Sequence, residues 1–162
     1  MVVSENKPIK ALDPMFKNLF APGNDSMLTS FALLVLRAWL GLCMLLLHGV
    51  SKVKDFSKLS ADFPDPLNVG HTASLALVVL AEVLCSALLV LGLVTRFAAL
   101  VLVVNMFVAF FIVLQGTLTG AHSGELAFIY LAGYVALLFT GAGKFSLDKV
   151  LFGKASKASA PK

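Results

Sequence analysis

The chain has 162 residues, of which 59% are hydrophobic and only 14% charged, with a formal net charge of +4 and a mean hydropathy of +0.91. Soluble domains are normally about 45–50% apolar, so the composition excludes a soluble globular protein and implies an integral membrane protein. Barrel strands would give roughly ten-residue segments of alternating polarity, whereas the apolar runs here are continuous and therefore helical.

Residues 1–26 mix Lys7, Lys10 and Lys17 with Glu5, Asp13 and Asp25 and hold no apolar stretch long enough for a cleavable signal peptide. Asp13-Pro14 suits a helix start, and Leu12, Met15, Phe16, Leu19 and Phe20 recur at helical spacing, which predicts a short interfacial helix in this N-terminal segment. A frayed tail is the alternative. The first span is predicted at residues 27–50, with the longest connection at 51–71, where Val53, Phe56, Leu59 and Phe63 suggest a second interfacial helix stopped by Pro64-Asp65-Pro66. Spans at 72–94 and 97–115 follow, joined by the tight turn Leu93-Val94-Thr95-Arg96-Phe97 that makes them an antiparallel hairpin. Gly116, Gly120 and Gly124 mark the next loop, and the fourth span is predicted at 125–141. The expected fold class is an all-α membrane protein, a four-transmembrane-helix antiparallel bundle over residues 27–152, followed by a Lys-rich disordered tail at 153–162.

The basic residues orient this bundle. Lys7, Lys10, Lys17, Arg96, Lys144, Lys149, Lys154, Lys157 and Lys162 fall on the side of the termini, and Lys52, Lys54 and Lys58 on the other. The positive-inside rule then puts both termini in the cytoplasm. The excess charge suits anionic lipid headgroups and gives no reason to invoke nucleic acid.

Charged groups inside the spans are the strongest functional clue. A lone charge at the membrane centre costs a few kcal/mol or more, so Arg37 and Glu82 are expected to pair or to line a cavity. Counted from the cytoplasmic span ends at about 1.5 Å per residue, Arg37, Glu82, Asn105 and Tyr130 lie at roughly 15, 18, 12 and 16 Å. That shared depth predicts one buried polar cluster and candidate ligand site, with Arg37 as donor to Glu82. Two roles are open to it: fixing helix register, or binding a ligand. Arg37, Gly41, Met44 and His48 form one helical stripe from this layer to the outer mouth.

At that mouth His48, His71, His122 and Glu125 form an external rim with the residue types of a metal or proton-handling site. The rim lacks the complete ligand set of a recognised metal motif, and no HExxH, CxxC, Walker or dinucleotide fingerprint occurs. Cys43 and Cys85, at about 24 and 14 Å, are too far apart in depth for a disulfide and are expected to be packing residues. No cofactor motif is evident, so any electron carrier must be bound or supplied by a partner.

Arg37, Gly41, the run His48-Gly49-x-x-Lys52, Glu82 followed by Leu91-Gly92-Leu93-Val94-Thr95-Arg96, Gly124-Glu125 and Gly141-Ala142-Gly143-Lys144-Phe145-Ser146-Leu147-Asp148 together resemble the DoxX family of small four-helix membrane proteins. The resemblance covers residues 28–152. Ala142 and Lys144 stand where the family commonly has Pro and Arg. It implies a bacterial inner-membrane protein; the related DoxD subunit belongs to a thiosulfate:quinone oxidoreductase, and some DoxX members are linked to membrane oxidoreductase assemblies that handle thiol or oxidative stress. Carried over, the family motif marks Arg37, His48, Gly49, Lys52, Glu82, Arg96, Glu125 and Asp148 without giving any of them a catalytic role.

The leading expectation is an accessory or quinone-linked subunit of a membrane redox system, binding a quinone near Arg37 and Glu82 and working with a redox partner protein. A guanidinium can donate to a quinone carbonyl and a carboxylate can move a proton. The alternative is a non-enzymatic scaffold or chaperone-like interaction protein, and the third a small-solute transporter, for which no inverted repeat is evident. The lipid bilayer is the one partner that composition requires; a homo-oligomer is compatible with it.

Overall fold

The computed structural model describes residues 27–152, which are helical with no strand among them. The N-terminal segment with its predicted surface helix, and the Lys-rich tail, lie outside the described residues. Helix α1 runs Met27–Lys54, α3 His71–Leu91 and α4 Thr95–Val113; these three are long and apolar enough to cross a membrane. A single turn, α2 at Phe56–Leu59, interrupts the long connection, so the predicted interfacial helix is shorter than expected because α1 itself continues through Lys54. Helix α5, Glu125–Thr140, is apolar but has 16 residues, about 24 Å at 1.5 Å per residue. The chain ends in α6, Leu147–Phe152.

Small residues set how the helices meet. A Cβ on Gly41 would lie 3.0 Å from the Ser86 carbonyl oxygen, and one on Gly49 3.1 Å from that of Glu82. These two glycines let α1 lie directly on the α3 backbone, antiparallel, with Gly49 level with Glu82 and Gly41 level with Ser86. Ala98, Ala99 and Leu102 of α4 meet Tyr134 and Leu137 of α5, all fully buried together with Leu89 of α3. The outward faces carry Trp39, Leu47, Leu77 and Phe139, each more than half exposed, as expected where the surrounding solvent is hydrocarbon.

Two wide, π-helical stretches face one another across this contact, Met44–Gly49 in α1 and Ala81–Cys85 in α3. Such turns offset the side-chain register by one residue and recur at functional sites. Here they carry His48 and Glu82.

Both ends of α3 are tightly finished. Gly92, at φ +68°, closes it with the paired bonds Leu93 N–H to Leu88 O and Gly92 N–H to Leu89 O, a Schellman cap that depends on a residue at ease in the left-handed region. At the other end Asp65 gathers the loop: its carboxylate accepts from Val69 N–H at 3.0 Å, Gly70 N–H at 2.7 Å and Ser74 Oγ at 2.7 Å. The Ser74 hydroxyl, with the Gly70 and Val69 amides, holds the Asp65 carboxyl below its ordinary range despite some desolvation.

Candidate functional site

The structure divides the predicted single polar layer into two sites. Arg37 and Glu82 do not pair. Glu82, 5% exposed at its side chain, takes an ion pair from Lys52, with Nζ 2.7 Å from Oε2. Arg37, 2% exposed, turns the other way and donates through Nη2 to the carbonyl oxygen of Phe145, where the charge acting on it is that of Asp148. Its level is that of Gly92, whose Cα lies beside the guanidinium. Gly92 is ten residues along from Glu82, about 15 Å of helix. The predicted depths failed because Met27 and Val94 do not share a plane: α1 extends below the α3–α4 turn, where the segment after α5 packs on it, Gly143 against Ser30.

The same register corrects the cysteines. Cys43 and Cys85 are both free, but α1 against α3 brings them to about one level instead of the roughly 10 Å offset counted from the span ends. Cys43 lies against the Tyr130 hydroxyl, and Cys85 is 4% exposed.

Around Lys52 and Glu82 the upper site is built from three helices. His48 stands edge-on to Tyr130, ring centroids 5.8 Å apart, and Tyr130 stacks on Tyr134 at 5.8 Å. The charges of Lys52 and Glu82 both act on His48. On the far side of Glu82 a groove of about 470 Å³ runs between α3 and α4, lined almost wholly by apolar side chains. Its polar groups are Lys52, Glu82, Ser74 and Asn105, and Phe63, Pro64, Pro66 and Leu67 of the long loop close its upper end. Asn105 Nδ2 is buried there with no hydrogen-bond partner among the described residues, and buried donors of this kind normally have one. Tyr134 Oη and Ser86 Oγ, in the core behind Glu82, are likewise without a partner.

The lower site is a clasp. Asp148, at the start of α6, accepts from Val94 N–H at 2.6 Å and Thr95 N–H at 2.9 Å, while its own N–H donates to Gly92 O at 2.9 Å. It thereby caps the first turn of α4 and holds Val94 at φ +46°, a conformation that a β-branched side chain adopts only under restraint. Ser146 Oγ accepts from Lys149 N–H. Arg96 reaches across to Phe139 O at 3.4 Å.

Of the predicted site residues, His48, Lys52 and Glu82 come together, with Tyr130 behind His48 and Asn105 in the adjoining groove. Arg37, Arg96 and Asp148 come together at the clasp, and Gly49 seats α1 on α3. The rim does not converge: His71 Nδ1 is 2.6 Å from Phe63 O, His122 and Glu125 are exposed in and after the α4–α5 loop, and no three His, Cys, Asp or Glu among the described residues are grouped to hold a metal ion. Sequence reasoning missed Tyr134, which follows Tyr130 by one turn on the same buried face, and Asp65, whose place between two prolines marked only a helix stop.

A family model described as DoxX matches residues 32–115. An uncharacterized protein of Haemophilus influenzae is 35% identical over 120 residues, which span 68% of this chain and 84% of that protein. No solved structure matches the chain.

Proposed function

Because the chain belongs to the DoxX family, we propose that it is a four-span protein of the bacterial inner membrane, both termini cytoplasmic, that holds a quinone or similar lipophilic carrier for a redox partner protein. The observation that carries this is the α3–α4 groove: about 470 Å³, apolar along its length, with Lys52, Glu82 and the unpartnered Asn105 as its polar points. Small-molecule sites commonly combine such a volume, an apolar lining and a few placed polar groups. Helix α5 is counted as the fourth span because it is predominantly apolar after Glu125 and packs on α4, and the short span is compatible with local thinning of the bilayer.

The carrier would supply the electron chemistry. The protein's own residues bind and orient: Asn105 Nδ2 and the Lys52 ammonium are donors for a ring carbonyl, and Glu82 is the group able to accept or return a proton. Burial of the Glu82 carboxylate among apolar side chains limits the access of bulk water to that exchange. Arg37 is assigned no part in it, since its guanidinium serves the clasp.

The test is purification in mild detergent followed by mass spectrometry of co-purifying lipophilic molecules and proteins. Retained quinone that is lost in Asn105→Leu and in Lys52→Met, and kept in His122→Ala, is the expected result. Absence of quinone from the folded wild-type protein, with a stoichiometric protein retained instead, would replace this assignment with the scaffold one.

A further inference from the structure

A second cavity lies at the opposite end of the bundle. It measures about 480 Å³ and is lined by Arg96 at the start of α4, by Thr140 and Gly141 at the end of α5, and by Ser146, Asp148 and Lys149 of the closing segment. The charges here are unevenly committed. Asp148 spends both carboxylate oxygens on the Val94 and Thr95 amides. Among the described residues neither Arg96 nor Lys149 is paired with a carboxylate. Arg96 has a single long bond, 3.4 Å to Phe139 O, which leaves most of its five donors available.

The backbone makes room for them. Gly141 sits at φ +75°, and a Cβ there would come within 3.4 Å of Arg96 Nε, so the absence of a side chain keeps the guanidinium face open. The surroundings are those of a membrane interface. Phe139, in the last turn of α5 and next to Thr140 of the cavity wall, is 76% exposed. Val150 and Leu151 of α6 are exposed alongside. Two uncommitted cations over a cavity, ringed by outward apolar side chains at the helix ends, match an anion that carries its own hydrocarbon.

We propose that this cavity is a binding site for the phosphate of an anionic phospholipid, with Arg96 and Lys149 on the phosphate oxygens and the acyl chains over the exposed Phe139. Basic pockets between transmembrane helices take such headgroups, and the planar fork of Arg suits a phosphate as a point-charge ammonium does not. The exposed Phe139 separates a lipid from a free phosphate ion, which would have no use for it.

The experiment is native mass spectrometry of the full-length protein in detergent with phosphatidylglycerol, phosphatidylcholine or inorganic phosphate added. Wild type should retain phosphatidylglycerol over phosphatidylcholine. The double variant Arg96→Gln/Lys149→Gln should bind phosphatidylglycerol about tenfold or more weakly. The pair Lys54→Gln/Lys58→Gln, at the other end of the bundle, should leave binding unchanged, and Arg96→Lys should bind between wild type and the double variant. Equal retention of the two lipids by wild type overturns the proposal, as does undiminished binding by a folded double variant. Displacement of the lipid by millimolar phosphate would assign the cavity to a free anion instead. Should the double variant fail to fold, the wild-type lipid selectivity decides the matter alone.

Discussion

Arg37 and Gly92 share one space: a Cβ on Gly92 would fall on Arg37 Nη1. The glycine that ends α3 is therefore also the floor on which the most completely buried charge of the described residues rests. Gly116 provides a matched comparison, since it has the same φ of +68° but nothing within 4 Å of its Cβ position.

Gly92→Ala should destabilise the protein by about 3 kcal/mol or more, because it adds displacement of a buried guanidinium to the backbone strain. Gly116→Ala should cost only the strain, about 1 kcal/mol. Thermal unfolding of both variants in the same detergent measures the difference, and equal losses would mean that Arg37 can move aside freely.

The Lys52–Glu82 pair should behave as a buried ion pair. Lys52→Met leaves Glu82, 5% exposed, without its counter-charge and should cost about 3 kcal/mol. Lys52→Met/Glu82→Leu should recover most of that loss, because no uncompensated charge remains. A double-mutant cycle on unfolding stability checks this, and additivity of the two single losses would show that the charges do not interact.

Asp148→Ala removes the acceptors of the Val94 and Thr95 amides and should cost about 1–2 kcal/mol. Val94→Gly should act in the opposite direction by about 1 kcal/mol, since glycine holds φ +46° without strain. Hydrogen exchange at the amides of residues 94 and 95 should rise sharply in Asp148→Ala and stay slow in Val94→Gly.

The loop over the groove should loosen in acid. Asp65 is ionised in the folded state at lower pH than its ordinary value of 3.8 would allow, so its contribution is complete above that value and is lost as pH falls through the folded one. Limited proteolysis of residues 60–70 should accelerate below about pH 4 in wild type. In Asp65→Asn the cleavage rate should be raised at all pH values and flat through that window.

How much of this could be seen in the sequence depended on the kind of signal. Continuous apolar runs located the helices, and Arg37 and Glu82 stood out as charges in hydrocarbon. Their partners did not. Counting depth from each span's own end assumes that all spans start in one plane, and α1 begins well below the α3–α4 turn. Lys52 fell beyond the end predicted for the first span, yet its flexible stem reaches back to Glu82 because α1 continues to Lys54. The register was nevertheless encoded locally: Gly41 and Gly49, two turns apart on α1, each admit an α3 carbonyl, and matching those small sites to α3 would have placed Arg37 against Gly92. The Phe145 carbonyl that receives Arg37 is a backbone group, and residue identity carries no mark of such a role.

The clasp also bears on how the protein is made. The acceptor for Arg37 lies 108 residues downstream, so the first helix must enter the bilayer during synthesis while its guanidinium has no partner. Until the ribosome has delivered Phe145 and Asp148, that guanidinium lacks both the carbonyl and the charge that receive it. A nascent chain that stops short of them keeps a first helix whose guanidinium is without its acceptor.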